Sequence, residues 1–242
     1  MKKYKVYIVG AGPGDPELLT MKAHRLITQY AEIVIYDRLI PPELLKLIPK
    51  KVERIYAGKS CRKHVMTQED INKELVRYAR TGKKVVRLKG GDPFIFGRGG
   101  EEIEYLTKYK IPYEVVSGIS AASGISAKLG IPLTHRGVAT GVRFITGHQQ
   151  KGEKMDLDWD SLADPKTTIV VYMGLANLEE IARNLIKHGL AKTTPAIAVQ
   201  EGTMKTERKL KSTLGKIGKE VKAKNFEPPV IVIIGKVAGF EI

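Results

Sequence analysis

The side chains best suited to chemistry stand in residues 85–102, which read VVRLKGGDPFIFGRGGEE. Asp92, Arg98 and Glu101 bring two carboxylates and a guanidinium into this short stretch. A carboxylate can hold a cation or accept a proton, and an arginine can bind a carboxylate through two parallel hydrogen bonds. The segment therefore predicts a site for a charged ligand, although an ordinary surface connection from a strand to a helix would use similar residues.

The local sequence also predicts how these side chains are positioned. Residues 85–89 are apolar apart from Arg87 and Lys89 and are typical of a strand. That strand must end at Gly90-Gly91-Asp92-Pro93, because glycine permits a tight turn and proline cannot continue a sheet ladder. Residues 94–96 add apolar bulk, and the glycines of residues 97–100 allow close backbone approach before an acidic first helical turn at 101–102.

A second glycine-rich loop, VGAGPGDP at residues 9–16, follows the first predicted strand. It lacks the third glycine of a dinucleotide fingerprint, because Asp15 stands at that position. Asp15 and Asp92 would both repel a pyrophosphate, so the two loops favour a cationic ligand such as S-adenosylmethionine. Asp15 could equally cap the helix that follows it.

Two further strands end in charged residues. Residues 32–36 are followed by Asp37 and Arg38, and residues 52–57 by Gly58 and Lys59. Ligands bind at the carboxyl ends of strands in open parallel sheets, and strands alternate here with helical patterns such as residues 68–81. The first half therefore predicts a parallel α/β sheet with its site at that edge. An ion pair between Asp37 and Arg38 is the structural alternative.

The second half predicts another α/β domain, and we place the boundary before Ser117, giving domains of residues 1–116 and 117–242. Small residues at 121–124 predict a closely packed helix or a backbone wall for a ligand. The remaining pattern predicts strands at 142–146, 168–173, 195–200 and 230–237, and a helix at 177–188. Basic residues are frequent in 204–225, which is more typical of a solvated face than of a binding patch.

Composition narrows the class of protein. The 242 residues include 43% hydrophobic residues, enough for two cores, and a single cysteine, Cys61, which excludes an intramolecular disulfide. No apolar run is long enough for a membrane helix and no secretory signal is visible, so we expect a cytoplasmic protein. The net charge of +15 predicts a polyanionic or polycarboxylate partner, and nucleic acid stays open at this point. The five histidines show no metal-ligand spacing, so no metal is expected.

A set of motifs makes the resemblance specific. The chain contains, in order, VGAGPGDPELLT, YDRL, GK, QEDIN, RLKGGDPFIFGRGGEE, GIPLTHR, TGH, VVYMGL and QEGT. This combination closely resembles the uroporphyrinogen-III C-methyltransferases, a family of class III S-adenosylmethionine-dependent methyltransferases. The resemblance runs from about Lys5 to Val237. It implies a monofunctional enzyme, because the chain has no room for the dehydrogenase and ferrochelatase domain of siroheme synthases.

The resemblance implies two methyl transfers from S-adenosylmethionine to C2 and C7 of uroporphyrinogen III, giving precorrin-2. It also implies a homodimer whose two α/β domains hold the cofactor in a cleft between them. Because this substrate carries eight carboxylates, it accounts for the positive charge without nucleic acid. The alternatives are a methylase of a later corrin precursor, of a protein or of RNA, and a nucleic-acid-binding module. No aromatic cluster stands beside the basic runs, which weakens the last.

Site residues are implied by position. Asp37 is the implied proton acceptor and Lys59 the donor, while Arg98, Glu101 and Arg136 are implied in substrate binding or proton handling. The implied cofactor contacts are Pro13, Gly90, Gly91, Asp92, Ile95, Ser120, Ala121, Met173 and Gly202.

Overall fold

The computed structural model describes residues 5–58, 66–148 and 155–240. The chain divides into two compact units, Met1–Ala121 and Ala122–Ile242. Each unit is built around its own five-stranded sheet. The division falls after Ala121, whereas the sequence-based boundary lies before Ser117.

The first unit alternates strands and helices. Its elements are β1 (Val6–Gly10), α1 (Met21–Arg25), β2 (Ile33–Tyr36), α2 (Pro42–Leu45), β3 (Glu53–Tyr56), α3 (Gln68–Arg80), β4 (Val85–Lys89), α4 (Gly99–Lys108) and β5 (Tyr113–Val116). The strands run in the order β3-β2-β4-β1-β5, and every pairing is parallel. This confirms the predicted parallel sheet and places the carboxyl ends of all five strands at one edge.

Side-chain alternation gives the central strand β4 two buried faces. Val86 and Leu88 join the core formed with α1 and α2, whereas Val85 joins the core formed with α3 and α4. Successive side chains of a strand point to opposite faces, so Arg87 and Lys89 share the face of Val85. Two cationic side chains therefore lie buried on the face of the sheet that α3 and α4 cover.

The second unit contains a mixed sheet. Its elements are α5 (Ala121–Leu129), β6 (Gly141–Thr146), α6 (Trp159–Leu162), β7 (Thr167–Tyr172), α7 (Leu178–Lys187), β8 (Pro195–Gln200), β9 (Arg208–Thr213), α8 (Leu214–Ala223) and β10 (Val230–Ile234). The strand order is β6-β7-β10-β8-β9. β10 is antiparallel to both β7 and β8, so these two strands run in the same direction, as does β6.

Element ends differ from the sequence prediction where a turn takes over. The last strand ends at Ile234 and not at Val237, because Gly235 has φ +144° and opens a 3-10 turn at Lys236–Gly239. The helix expected from Asn177 begins one residue later, after a 3-10 turn at Leu175–Asn177. Asp15 caps the 3-10 turn Pro16–Leu18, which bears out the capping interpretation. No helix in the described ranges is both long and apolar enough to cross a membrane.

Candidate active site

Two glycine loops are joined at the carboxyl edge of the first sheet. The Gly12 N–H donates to the Gly91 carbonyl at 3.2 Å, and the Gly91 N–H donates to the Gly12 carbonyl at 2.7 Å. Gly91 has φ +66°, a left-handed conformation that favours glycine. A Cβ on Gly10 would lie 2.6 Å from the Gly91 carbonyl oxygen, so glycine is required for this approach. The loops after β1 and β4 therefore form one rigid backbone platform.

Asp92 fastens the loop after β5 to this platform. Its Oδ2 accepts the Gly118 N–H at 3.1 Å, and its Oδ1 accepts the Phe94 N–H at 2.8 Å. A carboxylate that accepts backbone N–H groups is a strong structural brace. The geometry thus accounts for Asp92 as a residue that shapes the platform, and direct contact with a cofactor stays a prediction.

The glycines at 97–100 approach the loop's own backbone. The Gly99 N–H donates to the Pro93 carbonyl at 3.0 Å, and a Cβ on Gly97 or Gly99 would lie 2.6 Å from that oxygen. This tight turn leaves Phe94 and Phe96 exposed at the surface. Exposed aromatic rings beside a glycine platform offer an apolar contact for a planar ligand.

Arg98 and Glu101 bind each other at the start of α4. Arg98 is the helix N-cap in a left-handed conformation, and its Nε and Nη2 donate to Glu101 Oε1 and Oε2 at 2.7 and 2.6 Å. Hydrogen bonding from Arg98 lowers the pKa of Glu101 and raises the pKa of Arg98. Both side chains are more than half exposed. An incoming carboxylate would therefore compete with Glu101 for Arg98.

Asp37 stands at the end of β2 and belongs to a ring of four ionic side chains. The Arg87 Nη2 donates to Asp37 Oδ1, and the Lys89 Nζ lies 3.8 Å from Asp37 Oδ2. Arg87 Nε and Lys89 Nζ both donate to Glu102 Oε1, at 2.9 and 2.8 Å. Arg87, Lys89 and Glu102 are 1%, 3% and 0% exposed, against 27% for Asp37. The expected alternative, a pair between Asp37 and Arg38, is not what the ring contains.

Burial shapes the electrostatics of this ring. It lowers the pKa of Lys89, assisted by the charge of Arg87 and opposed by Glu102 and Asp37. Gln68 on α3 donates a further hydrogen bond to Glu102 Oε1 at 3.2 Å. Glu102 Oε2 is fully buried and has no hydrogen-bond partner in the part of the chain that the structure describes. The four charges of the ring therefore interact closely, and one carboxylate oxygen, Glu102 Oε2, has no hydrogen bond within the described residues.

The second unit also gathers implied residues at one sheet edge. The implied residues Met173 and Gly202 lie just beyond the carboxyl ends of β7 and β8, and Gly147, which was not among the implied contacts, follows β6 in the same direction. Met173 is 53% exposed and has φ +51°. Backbone held in this region by a non-glycine residue is frequently associated with binding sites. A Cβ on Gly202 would clash with Ile125, so glycine is needed there for packing.

Other implied residues lie close to these edges within their own units. Pro13 is half-buried in the loop after β1. Ser120 is buried just before α5, and the Ala122 N–H in the first turn of that helix donates to the Tyr172 hydroxyl at 3.0 Å. Gly90 and Ile95 are half-buried in the loop after β4, and Ala121 opens α5.

One implied residue is not drawn into these arrangements, and another lies outside the described residues. Arg136 is exposed in the connection between α5 and β6, where its carbonyl lies 2.8 Å from the ring nitrogen of His135. Lys59, the implied proton donor, lies outside the described residues, as does Cys61. Residues 5–58, 66–148 and 155–240 contain no group of three acidic, histidine or cysteine side chains suited to a metal ion.

The site residues predicted from the sequence did not include Arg87, Lys89 and Glu102. A signal was present, because Arg87 and Lys89 share one face of a strand that the βαβ pattern places in a parallel sheet. Such strands are buried on both faces, and buried charges are paired. That pairing required acidic partners, which Asp37 and Glu102 supply.

Comparison with known proteins identifies the family. A family model described as tetrapyrrole (corrin/porphyrin) methylases matches residues 5–218. The chain belongs to this family. The match confirms, at the level of the family, the resemblance drawn from the ordered set of motifs.

Individual relatives of this methylase are both curated and structurally known. The siroheme synthase of Nitrosospira multiformis is 55% identical over 235 residues, which are 97% of this chain and 49% of that protein. The chain spans about half the length of the curated relatives it matches. The uroporphyrin-III C-methyl transferase of Thermus thermophilus, solved with S-adenosylhomocysteine, is 38% identical with a TM-score of 0.83, covering 98% of this chain and 94% of that one.

A third similar structure bears on the fold alone. A cobalt precorrin-4 methyltransferase has a TM-score of 0.85 at 24% identity and covers 98% of this chain and 96% of its own. Together these structures confirm the predicted fold of two α/β sheets with helices.

Proposed function

We propose that the chain transfers two methyl groups in succession from S-adenosylmethionine to C2 and C7 of uroporphyrinogen III, forming precorrin-2 by way of precorrin-1. The observation that carries the proposal is the 38% identity to the T. thermophilus uroporphyrin-III C-methyl transferase over 94% of its length. The net charge of +15 supports it, because a substrate with eight carboxylates is attracted by a basic surface.

The loops of the first unit suit a methyl donor that carries positive charge. Asp15 and Asp92 place carboxylates in loops where a dinucleotide would bring a pyrophosphate. S-adenosylmethionine, when bound, supplies a methyl group on a sulfonium centre and also carries an ammonium group. In the second unit, exposed Met173 provides apolar surface of the kind that an adenosine group covers. The implied cofactor contacts remain Pro13, Gly90, Gly91, Asp92, Ile95, Ser120, Ala121, Met173 and Gly202.

The protein's own residues then orient the substrate and take its proton. A pyrrole carbon forms a bond to the methyl carbon as the sulfur–carbon bond breaks, its electron pair staying on sulfur, and the ring afterwards releases a proton. Asp37 is the proposed acceptor, since it is the partly exposed member of the ionic ring at the sheet edge. Lys59 is the proposed donor. Holding the reacting atoms in line provides much of the rate.

Arg98 and Arg136 are proposed to bind carboxylates of the substrate. Arg98 is already bidentate with a carboxylate, that of Glu101, so its geometry suits this exchange. Glu101 would be released as the substrate binds, which leaves it free to share in proton handling.

A direct assay tests the function. Purified protein is incubated with uroporphyrinogen III and S-adenosylmethionine, and the oxidised products are scanned for the red-shifted chromophore of the dimethylated ring. Calorimetry with S-adenosylhomocysteine should show binding, and NAD should give no heat. Micromolar NAD binding without S-adenosylhomocysteine binding would overturn the donor, and absence of the chromophore with a functioning donor site would overturn the substrate.

The homodimer and the cytoplasmic location stay proposals that rest on the family resemblance and on the composition. Light scattering on the purified protein across a concentration range tests the dimer, for which twice the monomer mass of 26.8 kDa is expected.

A further inference from the structure

We propose that Arg87, Lys89 and Glu102 are positioning residues that set the basicity of Asp37, and thereby how readily Asp37 takes a proton from the substrate ring. This inference rests on the proposed function, because it needs Asp37 to act as the acceptor.

The ring of Asp37, Arg87, Lys89 and Glu102 forms a closed circuit of ionic contacts. Asp37 touches Arg87 directly and approaches Lys89 at 3.8 Å, and both cations end on the same oxygen of Glu102, at 2.9 and 2.8 Å. The β4 backbone holds the two cations on one face, and α4 supplies the anion that anchors them. Asp37 therefore cannot turn away from the sheet edge without breaking an ion pair with a buried arginine.

The charge balance gives the circuit its consequence. With all four groups ionised the formal charges cancel, and water is excluded from three of the four side chains. When Asp37 takes up a proton, a net positive charge remains in a medium of low dielectric constant, where charges interact strongly. Lys89 is the adjustable member, since burial lowers its pKa, whereas the pKa of Arg87 is raised by Asp37 and Glu102 against the effect of burial.

The surrounding groups form a constant background for this balance. Gln68 on α3 is neutral and donates to Glu102. Glu101 and Arg98 on α4 pair with each other, and their charges act on Lys89 and Glu102 respectively. The phenols at the ends of β2 and β3, Tyr36 and Tyr56, pack against each other with ring centroids 5.5 Å apart. Lys59 lies outside the described residues.

Two charge-removing variants test the proposal because they act in opposite directions. Lys89→Met removes a positive charge, so Asp37 becomes more basic and the acidic limb of the kcat/KM profile moves to higher pH. Glu102→Gln removes a negative charge, so the same limb moves to lower pH. For Lys89, whose Nζ lies 3.8 Å from Asp37 Oδ2, the expected shift is about one pH unit or more. The double variant has the charge balance of the parent and should return the midpoint to the parent position.

The controls separate electrostatics from damage to the fold. Lys73→Met, in an exposed pair with Glu69 on α3, should leave the profile unchanged. Lys89→Arg keeps the charge, so its midpoint should stay near the parent value even where turnover falls. Shifts in the same direction for Lys89→Met and Glu102→Gln, or no shift in either, would overturn the proposal.

A second measurement does not depend on turnover. The carboxyl group of Asp37 is titrated by NMR of its carboxyl carbon in the parent, in Lys89→Met and in the double variant. The midpoint should rise in Lys89→Met and return to the parent value in the double variant. An Asp37 titration that ignores these changes overturns the proposal even if the parent methylates its substrate. A titration that moves while the kcat/KM profile does not would show that Asp37 is not the acceptor, and it would leave the methyl transfer itself standing.

Discussion

Glu101 and Glu102 are neighbours in the chain and in the first turn of α4, yet they carry out different tasks. Glu101 is half exposed and binds Arg98 at the surface, whereas Glu102 is fully buried and binds two cations of the central strand. An exposed pair gains little, because water competes for both charges, with typical values of about 0–1 kcal/mol. Removing one partner of a buried pair costs about 3–5 kcal/mol, since the other charge stays desolvated.

The difference in burial suits the two ion pairs to different roles: the exposed pair can exchange partners, and the buried pairs can support neighbouring side chains. A surface pair can be opened by a ligand at low cost, which suits Arg98 to binding a substrate carboxylate. A buried pair resists opening, which suits Glu102 to holding Arg87 and Lys89 behind Asp37. One turn of helix thus contributes to both an adaptable surface and a fixed interior.

The largest expected effect comes from removing the buried anion. Glu102→Ala leaves Arg87 and Lys89 buried with Asp37 as their remaining anionic partner, so the free energy of unfolding should fall by about 3–5 kcal/mol. Glu101→Ala should change it by no more than about 1 kcal/mol. Urea unfolding followed by circular dichroism measures both, and equal losses would erase the comparison.

Replacing all three buried ionic side chains by apolar ones sharpens the comparison between the buried and the exposed ion pairs. If the buried charges are kept for function, then Arg87→Met, Lys89→Met and Glu102→Leu together should regain most of the stability lost in Glu102→Ala, because no uncompensated buried charge remains. Turnover should stay low, since Asp37 has lost the ion-pair partners that hold it, Arg87 and Lys89. Urea midpoints and methyl-transfer rates are compared for the two proteins. A triple variant no more stable than Glu102→Ala would mean that the ions themselves stabilise the fold.

The surface pair is tested through the substrate. Arg98→Leu should weaken uroporphyrinogen III binding by about tenfold to a hundredfold, the scale of one charge-assisted hydrogen-bonded contact of about 1.5–3 kcal/mol. Binding of S-adenosylhomocysteine should barely change. Arg136→Leu is the matched comparison in the second unit. Turnover across substrate concentrations and cofactor calorimetry distinguish the effects, and parent-like KM values in both variants would argue against the proposed carboxylate binding.

The smallest effect concerns pH. Arg98 lowers the pKa of Glu101, so the stabilisation by this pair is present above the ordinary carboxyl range and is lost as the pH falls through the lowered pKa. Arg98→Leu should therefore raise the pKa of Glu101, as followed by NMR of its carboxyl carbon. An unchanged titration would mean that the pair does not persist in solution.

Local sequence predicted most of the frame that positions the site. Residues 85–89 and 195–200 are strands as expected, because their apolar runs end at glycine or polar residues. The loops at Gly12 and Gly91 were also recognisable, since tight turns need glycine. Their mutual hydrogen bonds were not, because they join residues far apart in the chain.

The sequence by itself determined the alternation of strands and helices, the glycine loops and the acidic character of those loops, because these depend on local backbone chemistry. Its motifs also indicated the family. Tertiary structure alone decided that Asp37 pairs with Arg87 and not with Arg38, and that Glu102 is interior while Glu101 is not. The reason is physical: the energy of a charge depends on the water removed from it, and only packing determines which charges lose their water.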